Sequence, residues 1–519
     1  MTLTASPGSS MTVDQAAFGD LATAHSTSET WFTTTDHRTI GGLMAGISLV
    51  VGLVGTVLAS LVSLKLDDAV QGKLSESGLL SGSADGALSF SRIFNAQRHG
   101  LLIMVAGPLF LALATLAVPR MIGSTRLAFP RLGAFTLWAY EAAMALFIAS
   151  IVVGDGPSTL SLVGVNPSSE PMNHATGLML GAFAVVAVVM TLGAINIVTT
   201  VLTQRAAGLR LGNVAPYVWA SFVTAGITLI SAPVFAAGLL ITFIDRHFNS
   251  TLYAADGFSR VYTHTLWFFG RPDALLLILP ALGIASQIVA NTAGKSLLGG
   301  PIDKILLSFF GVLTLGAWAG GDWLLTSVIQ PTPTFLTGLI VIPVGLLVLL
   351  WLGTLATKVK PTPGLLFVVA LIVMLGLAGI NVLVAAVRGV TDPNLQDVWR
   401  INQTSLMLTA VPLVLALGGL VEFAPIIWGR KTLQPLVGLA ALAGLGGGVL
   451  ATLGHAAIAY RSNVGDSAGV ASIVAFAGGL LLAAAVVITL LNLLGSIVGG
   501  KGEAVEASIS SGELTEVAA

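Results

Sequence analysis

The sequence predicts an all-α integral membrane protein that crosses the bilayer twelve times, and two observations support this prediction. Of its 519 residues, 55% are hydrophobic and only 9% are charged, with a mean hydropathy of +0.93, which is more apolar surface than a soluble protein can bury. Apolar stretches of about 20 residues recur along the chain, and each is long enough to cross a bilayer as a helix. Such unbroken runs exclude a transmembrane β-barrel, whose strands alternate apolar and polar residues.

Twelve apolar stretches define the predicted spans, and charged or Pro- and Gly-containing turns separate them. In order, the spans are 40–64, 100–118, 132–154, 175–203, 217–244, 266–291, 305–329, 334–356, 365–387, 403–428, 435–459 and 468–496. They form one membrane domain over residues 33–497, between a polar N-terminal tail at 1–32 and a C-terminal tail at 498–519. The 60 glycines predict close contact between the helices, because small residues let helix backbones approach each other in lipid.

The charged residues predict the orientation of the chain. An even number of spans places both termini on one side, and the loops of that side hold 13 of the 23 Lys and Arg residues. By the positive-inside rule, the termini are predicted to be cytoplasmic and the protein to lie in the cell membrane. The net charge of −1 gives no basic footprint for nucleic acid. The absence of cysteine excludes disulfides, thiolate zinc or iron–sulfur sites, and a thiolate-ligated copper site.

Several short segments occur in an order and spacing that are typical of one membrane-protein family. They are Thr35 to Gly41 before the first span, Phe94 to Gly100 at the second, Ala128 to Leu132 at the third, Gly193 to Asn196 in the fourth, Leu266 to Gly270 and Ile278 to Pro280 around the sixth, Trp318-Ala319 in the seventh, and Gly418-Gly419, Pro425 and Gly429-Arg430 in the tenth. On these segments the chain resembles subunit I of the haem-copper (cytochrome c) oxidases over about residues 33–497. The resemblance implies a bundle of twelve helices in three arcs with pseudo-threefold symmetry. It also implies other oxidase-like subunits, of the subunit II or III type, or a larger respiratory complex as partners.

The resemblance implies six metal-binding histidines, of which two ligate a low-spin haem, one a high-spin haem and three a copper ion. His99 stands at the second-span position of a low-spin haem ligand. Counting back from Gly429, the tenth-span positions for the low-spin and high-spin haem ligands fall on Ser405 and Gln403, and neither is a usual haem ligand. His99 therefore either holds a single haem or is a packed, hydrogen-bonded relic.

The copper positions of the resembled family are also replaced. Arg271 stands where the sixth-span histidine belongs, and Gly320 and Gly321 replace the histidine pair of the seventh span. A guanidinium has no lone pair to donate to copper, and glycine has no side chain to do so. We therefore expect no copper at the former binuclear centre, at most one haem, at His99, and no oxygen reduction by the family mechanism.

Positions that move protons or bind magnesium in the family are changed too. Leu347 stands at the position of an eighth-span lysine, and Arg126 at that of an acid before the third span. Asp273 keeps the carboxylate of a sixth-span Glu. Asp397 keeps the acidic half of a magnesium-binding pair whose histidine is replaced by Gln396, and a single carboxylate makes a weak metal site.

Glu141 in the third span matches no pattern of the family. A carboxylate beside Trp138, Tyr140 and apolar residues costs several kcal/mol unless it is protonated, paired or hydrated. One interpretation is ion or proton handling, and the other is a neutral acid hydrogen-bonded to a neighbouring helix or to a partner subunit. Glu422, near the end of the tenth span, is interpreted as a structural residue that reaches the surface or water.

Three functions compete on this evidence. The first is a pseudoenzyme with a degenerate active site, which does not reduce oxygen and acts as a structural, assembly or regulatory subunit of a respiratory membrane complex. The second is an electron-transfer protein with a single haem on His99. The third is a transporter of protons, ions or small molecules that reuses the emptied haem pores, with Glu141 or Asp273 in its path. Similarity of fold alone cannot choose among them.

Two structural expectations follow from the replaced ligands. The low-spin haem space should be closed by bulky side chains of the second and tenth spans, because a large apolar cavity is costly. Arg271 should contact Asp322, directly or through one water, with Asp273 as second choice, because an unpaired guanidinium at membrane depth is costly as well. The alternative is an arginine that reaches the outer surface without an acidic partner.

Overall fold

The computed structural model describes residues 34–65, 100–153, 174–248, 272–319, 339–356, 360–389, 410–464 and 469–499. Within these ranges the chain forms twelve α-helices. They are α1 His37–Lys65, α2 Gly107–Met121, α3 Pro130–Val152, α4 His174–Thr203, α5 Pro216–Phe248, α6 Pro272–Ala293, α7 Ile302–Ala319, α8 Val341–Leu355, α9 Leu365–Gly389, α10 Val411–Trp428, α11 Gln434–Val464 and α12 Gly469–Gly499. A π-helical turn, Gly100–Ala106, leads into α2, and a 3₁₀ turn, Leu211–Asn213, precedes α5. Each predicted span overlaps one of these helices, which confirms the predicted all-helical fold.

Nine helices within the described ranges are long and apolar enough to cross a bilayer, judged by length and composition. They are α1, α2 with its π-helical turn, α3 to α6 and α10 to α12. Helix α8 and the part of α9 from Leu365 to Ala378 are shorter apolar helices. The molecule is therefore a multi-pass membrane protein.

Local sequence explains where several helices begin and end. Helices α3, α5 and α6 each begin with a proline, at Pro130, Pro216 and Pro272. Proline suits this position because its fixed φ is already helical and its missing N–H would have no partner in the first turn. Helix α10 ends where Gly429 adopts a φ of 69°, the left-handed conformation that commonly terminates a helix.

An asparagine in α4 fixes the connection between α2 and α3. The Asn196 Nδ2 donates to the backbone carbonyl of Phe129, and its Oδ1 accepts from the Phe129 backbone N–H, both at 3.0 Å. Thr200, one turn later, accepts from the Ala128 N–H at 2.9 Å. Two segments that carried the family resemblance, Ala128 to Leu132 and Gly193 to Asn196, thus hold each other in place.

The connection between α10 and α11 is fixed in the same way by an asparagine of α12. The Asn492 Oδ1 accepts from the Leu433 N–H at 2.8 Å, and Nδ2 donates to the Leu433 carbonyl at 3.2 Å. Each amide gives the backbone N–H of its loop residue a partner and adds a bond to the carbonyl, which also accepts from the first turn of the following helix. A short loop can therefore lie against the bundle at little cost. The connection between α2 and α3 is therefore held by α4, and the connection between α10 and α11 is held by α12.

The last helix packs closely against both its predecessor and the first helix. A Cβ built at Gly447 of α11 would lie 2.7 Å from the Leu482 nitrogen of α12, so the two backbones touch. On another face of α12, a Cβ at Gly479 would lie 3.1 Å from the Ser60 Cβ of α1. Small residues thus bring α12 against α11 and α1, as the glycine content predicted.

Candidate functional site

Most of the residues singled out for metal chemistry lie outside the described residues. These are His99, Arg271, Gly320, Gly321, Asp322, Asp397, Gln403 and Ser405. Asp273 lies in the first turn of α6, but its side chain is also outside the described part. The predicted contact between Arg271 and Asp322 and the predicted closure of the haem space therefore stay predictions. What the structure does describe is the helices that precede and follow these positions in the sequence.

The residue after His99 begins a buried π-helical turn that Tyr140 of α3 stabilises. All seven residues of Gly100–Ala106 are buried. The wider π-helical turn changes the backbone pairing, and the Met104 carbonyl accepts a hydrogen bond from the Tyr140 hydroxyl at 2.8 Å. Because this hydroxyl has only one proton, the Ser48 hydroxyl of α1, also at 2.8 Å, must donate to it. Two buried hydrogen bonds therefore join α1, α3 and the π-helical turn that leads into α2.

Aromatic rings occupy the space beside Gly100. A Cβ built at Gly100 would lie 2.9 Å from the Phe147 ring of α3. Phe147 in turn packs against Phe183 of α4, with ring centroids 6.0 Å apart. The chain adjacent to His99 is thus enclosed on this side by bulky side chains of α3 and α4.

The eighth-span position of the family's lysine lies in a tightly packed apolar region. Leu347 is fully buried, and so is Trp351 one turn later. The Trp351 indole Nε1 donates to the Ser286 hydroxyl of α6 at 3.0 Å. This contact gives the buried indole N–H a partner and fixes α8 against α6.

Glu141 is the one candidate residue of the site whose side chain lies in the described part of the chain. It is half-buried, next to the fully buried Tyr140, and it borders the face of α3 that exposes Ala142 and Ala145. No hydrogen bond joins its carboxylate to the residues that the structure describes. Glu141 therefore lies at the edge between the bundle and its surroundings, where the side chain of another subunit could reach it.

Sequence reasoning missed a chain of amides that leads to Glu422. The Gln287 Nε2 donates to the Asn291 Oδ1 at 2.8 Å, and the Asn291 Nδ2 donates to the Glu422 Oε1 at 2.9 Å. Gln287 and Asn291 are four residues apart on α6 and therefore share one face of the helix. That spacing of two amides in an apolar span is a sequence signal that would have found them.

Metal-donor side chains do not cluster in the part of the chain that the structure describes. No group of three or more His, Cys, Asp or Glu residues is placed there to hold a metal ion. Among the described histidines, His455 of α11 lies beside Ser63 of α1 at 3.2 Å and the Ala451 carbonyl at 2.7 Å. Those two contacts occupy both of its ring nitrogens, as in a packed structural histidine.

Comparison with known families identifies the scaffold. Residues 39–464 match the model of the family described as cytochrome c and quinol oxidase polypeptide I. This range contains all the helices from α2 to α11 and most of α1.

Curated relatives agree with this match. The chain is 29% identical over 335 residues to a probable cytochrome c oxidase subunit 1-alpha of Streptomyces avermitilis, covering 62% of this chain and 55% of that protein. It is 30% identical over 350 residues to a cytochrome c oxidase subunit 1 of Cereibacter sphaeroides, covering 62% of each. The alignments thus span little more than half the length of these relatives.

A solved structure supports the fold independently. A haem-copper terminal oxidase dimer, determined by cryo-electron microscopy, contains a chain that superposes with a TM-score of 0.64 at 13% sequence identity. The superposition covers 89% of this chain and 84% of that chain. The chain described here therefore belongs to the family of cytochrome c and quinol oxidase polypeptide I, the subunit I family that its sequence segments resemble.

Proposed function

We propose that this protein is a subunit I-type component of a respiratory membrane complex that does not reduce oxygen. The observation that carries the proposal is the replacement of the copper ligands by Arg271, Gly320 and Gly321. Copper in proteins needs nitrogen or sulfur lone pairs, which neither a guanidinium nor glycine provides. The donor set does not fit the metal, and the tenth-span residues Gln403 and Ser405 fit haem iron no better.

The contacts that hold the bundle together support a role that depends on the scaffold. The Asn196 amide pairs with both backbone groups of Phe129, and Tyr140 joins three helices through Met104 and Ser48. These contacts keep the helices in register without any metal. A chain that keeps its helix contacts while its ligand positions change is suited to a structural, assembly or regulatory role. In this proposal the chain crosses the membrane twelve times, with both termini in the cytoplasm.

In this proposal, Glu141 is the residue at which a partner subunit contacts the chain. Its half-buried carboxylate borders the outer face of α3 and has no hydrogen bond to the described residues. A carboxylate facing hydrocarbon costs several kcal/mol unless a polar group meets it. We therefore place a subunit of the II or III type against α3, with a donor side chain or a shared proton at Glu141.

Purification of the full chain from its native membrane in mild detergent tests the proposal. The expected preparation contains other oxidase-type subunits by mass spectrometry, no stoichiometric copper by elemental analysis, no stoichiometric haem by haemochrome assay, and no oxygen consumption. Glu141→Leu should release the partner subunits, whereas Ala142→Leu, at the neighbouring exposed position of α3, should retain them.

Three results would each overturn the proposal in a different way. Stoichiometric haem that disappears in His99→Ala would establish the single-haem electron-transfer protein instead. Copper together with oxygen consumption would establish an active oxidase. Proton or ion flux in proteoliposomes that vanishes in Glu141→Gln would favour a transporter.

A further inference from the structure

One face of α5 carries a row of hydroxyl groups, and none of the predicted metal positions lies in this row. Tyr217, Ser221, Thr224, Thr228 and Ser231 follow each other at intervals of three or four residues, so they lie on one side of the helix. The side faces the protein interior, because Tyr217 is 0% exposed, Ser221 5%, Thr228 4% and Ser231 1%. A polar row buried along a membrane helix is costly unless every group in it is satisfied.

Only one end of this row is satisfied by the helix itself. The Thr228 hydroxyl donates to the Thr224 carbonyl at 2.8 Å, and the Ser231 hydroxyl donates to the Ile227 carbonyl at 3.0 Å. The Tyr217, Ser221 and Thr224 hydroxyl oxygens are buried and make no hydrogen bond of ordinary geometry with the described residues. The Ser221 and Tyr217 hydroxyls are close enough to interact, and each keeps hydrogen-bonding capacity beyond this contact. The Thr224 hydroxyl has no partner among the described residues.

A fourth group of this kind lies on the helix that faces Tyr217. The Gln287 Oε1 is buried and lacks a hydrogen-bond donor among the described residues. Its amide nitrogen is engaged, because it donates to Asn291, and Asn291 donates to the Glu422 carboxylate. Gln287 therefore presents an unused acceptor at the inner end of a polar chain.

Gln287 lies at the seam between α5, α6 and α10, at the Tyr217 end of the hydroxyl row. A Cβ built at Gly283 of α6 would lie 3.4 Å from the Tyr217 Cα, and Gln287 follows Gly283 by one helical turn on the same face. Phe423 of α10, the residue after Glu422, packs against the Tyr217 ring in a tilted arrangement with centroids 4.8 Å apart. The seam therefore lies between the close contact of α5 with α6 at Gly283 and the contact of the Tyr217 and Phe423 rings.

We propose that internal water molecules bind along this seam, where they connect the amide chain from Glu422 to Tyr217 and continue along the hydroxyls of α5. A buried water typically makes about three hydrogen bonds to polar groups that would otherwise be unpaired. The Tyr217, Ser221 and Thr224 hydroxyls and the Gln287 carbonyl oxygen supply both donors and acceptors for such waters. The site takes water or hydronium, and the Glu422 carboxylate forms its outer end. It shares no residue with the metal positions, so it stands whether or not the proposed function does.

Hydroxyl-radical footprinting by X-ray radiolysis tests the proposal on the full-length protein in detergent. Radiolysis of a bound water produces radicals in place, which label the adjacent side chain even when bulk solvent cannot reach it. Tyr140 is the matched control, because it is equally buried at 0% exposure but its hydroxyl is bonded to Ser48 and Met104. Tyr217 should be labelled several-fold faster than Tyr140. Equal rates would overturn the proposal.

A pair of variants separates bound water from general loosening of the helix. Ser221→Ala combined with Thr224→Val removes two of the water partners and should lower the Tyr217 labelling rate to that of Tyr140. Ser231→Ala, whose hydroxyl is already bonded within α5, should leave the rate unchanged. A double variant that is labelled like the unaltered protein would contradict the assigned water partners, and the comparison of Tyr217 with Tyr140 needs no variant at all.

Discussion

Single buried hydroxyls decide much of the local order in this membrane domain. Tyr140 donates to the Met104 carbonyl in the π-helical turn and accepts from Ser48, so its oxygen is bonded to two helices besides its own. Membrane helices gain little from apolar contact with each other, because lipid is equally apolar. A specific polar contact therefore contributes disproportionately to their register.

Tyr140→Phe should lower the free energy of unfolding by about 1–2 kcal/mol, because it leaves the buried Met104 carbonyl without its partner. Ser48→Ala should cost less, since it removes only the donor to Tyr140. Unfolding in mixed detergent, followed by circular dichroism, gives the comparison. Combining the two changes should cost less than the sum of both, and strict additivity would show that the Ser48 contact contributes nothing.

Residue-level chemistry could be predicted from the sequence only where a motif fixed the position. The replacement of ligands at Arg271 and Gly320 stays a prediction, which rests on the register that the neighbouring segments give. Glu422 was interpreted as a structural residue at a helix end, and its bond to Asn291 agrees with that. The amide chain was missed because Asn291 and Glu422 are 131 residues apart in the sequence. The spacing of residues within one span cannot reveal such a contact.

Two short loops between helices are held by side chains of other helices that pack against them. Asn196 and Asn492 each pair with both backbone groups of a single loop residue, Phe129 and Leu433 respectively. Hydropathy alone gave the positions of the helices, because length and apolar content determine a membrane span. The π-helical turn at Gly100–Ala106 and the asparagine contacts depend on neighbouring helices, so no pattern within one span predicted them.

Asn196→Ala should destabilise the connection between α2 and α3, because the partly buried Phe129 N–H loses its partner, at about 1–3 kcal/mol for the unsatisfied group, while the Phe129 carbonyl keeps its bond from the Gly133 N–H. The expected result is faster proteolysis between Ile122 and Phe129 and a lower thermal midpoint. Asn213→Ala is the control, since Asn213 is exposed in the 3₁₀ turn of the neighbouring connection. Equal protease resistance of the two variants would refute the importance of the paired amide.

At the scale of the whole molecule, the chain has the fold of the oxidase subunit I family, and our proposal holds that this fold persists while the ligand positions change. Helix packing and metal ligation place separate demands on the sequence, because ligands are single side chains whereas packing is spread over every helix face. The described core is continuous from α1 to α12, with buried residues from Ile40 to Leu493 in one cluster. The family resemblance could therefore be recognised from packing and loop segments alone.

The contact between α11 and α12 should limit the stability of this bundle. A Cβ at Gly478 would lie 2.7 Å from the Ala451 Cα and 2.9 Å from the Gly447 carbonyl oxygen, and backbone cannot yield as a flexible side chain does. Gly478→Ala should therefore separate the two helices and destabilise the protein by about 1–3 kcal/mol, the usual cost of overpacking. The neighbouring Gly479 contact with Ser60 would be strained too, so the thermal midpoint of the entire domain should fall.

Gly226→Ala in α5 is the matched control, because nothing lies within 4 Å of its built Cβ. Alanine favours a helix by about 1 kcal/mol over glycine, so this variant should be as stable as the unaltered protein or more so. Thermal unfolding of both variants in the same detergent measures the difference. If Gly478→Ala matched Gly226→Ala, the close backbone approach would not be what holds the last helix in the bundle.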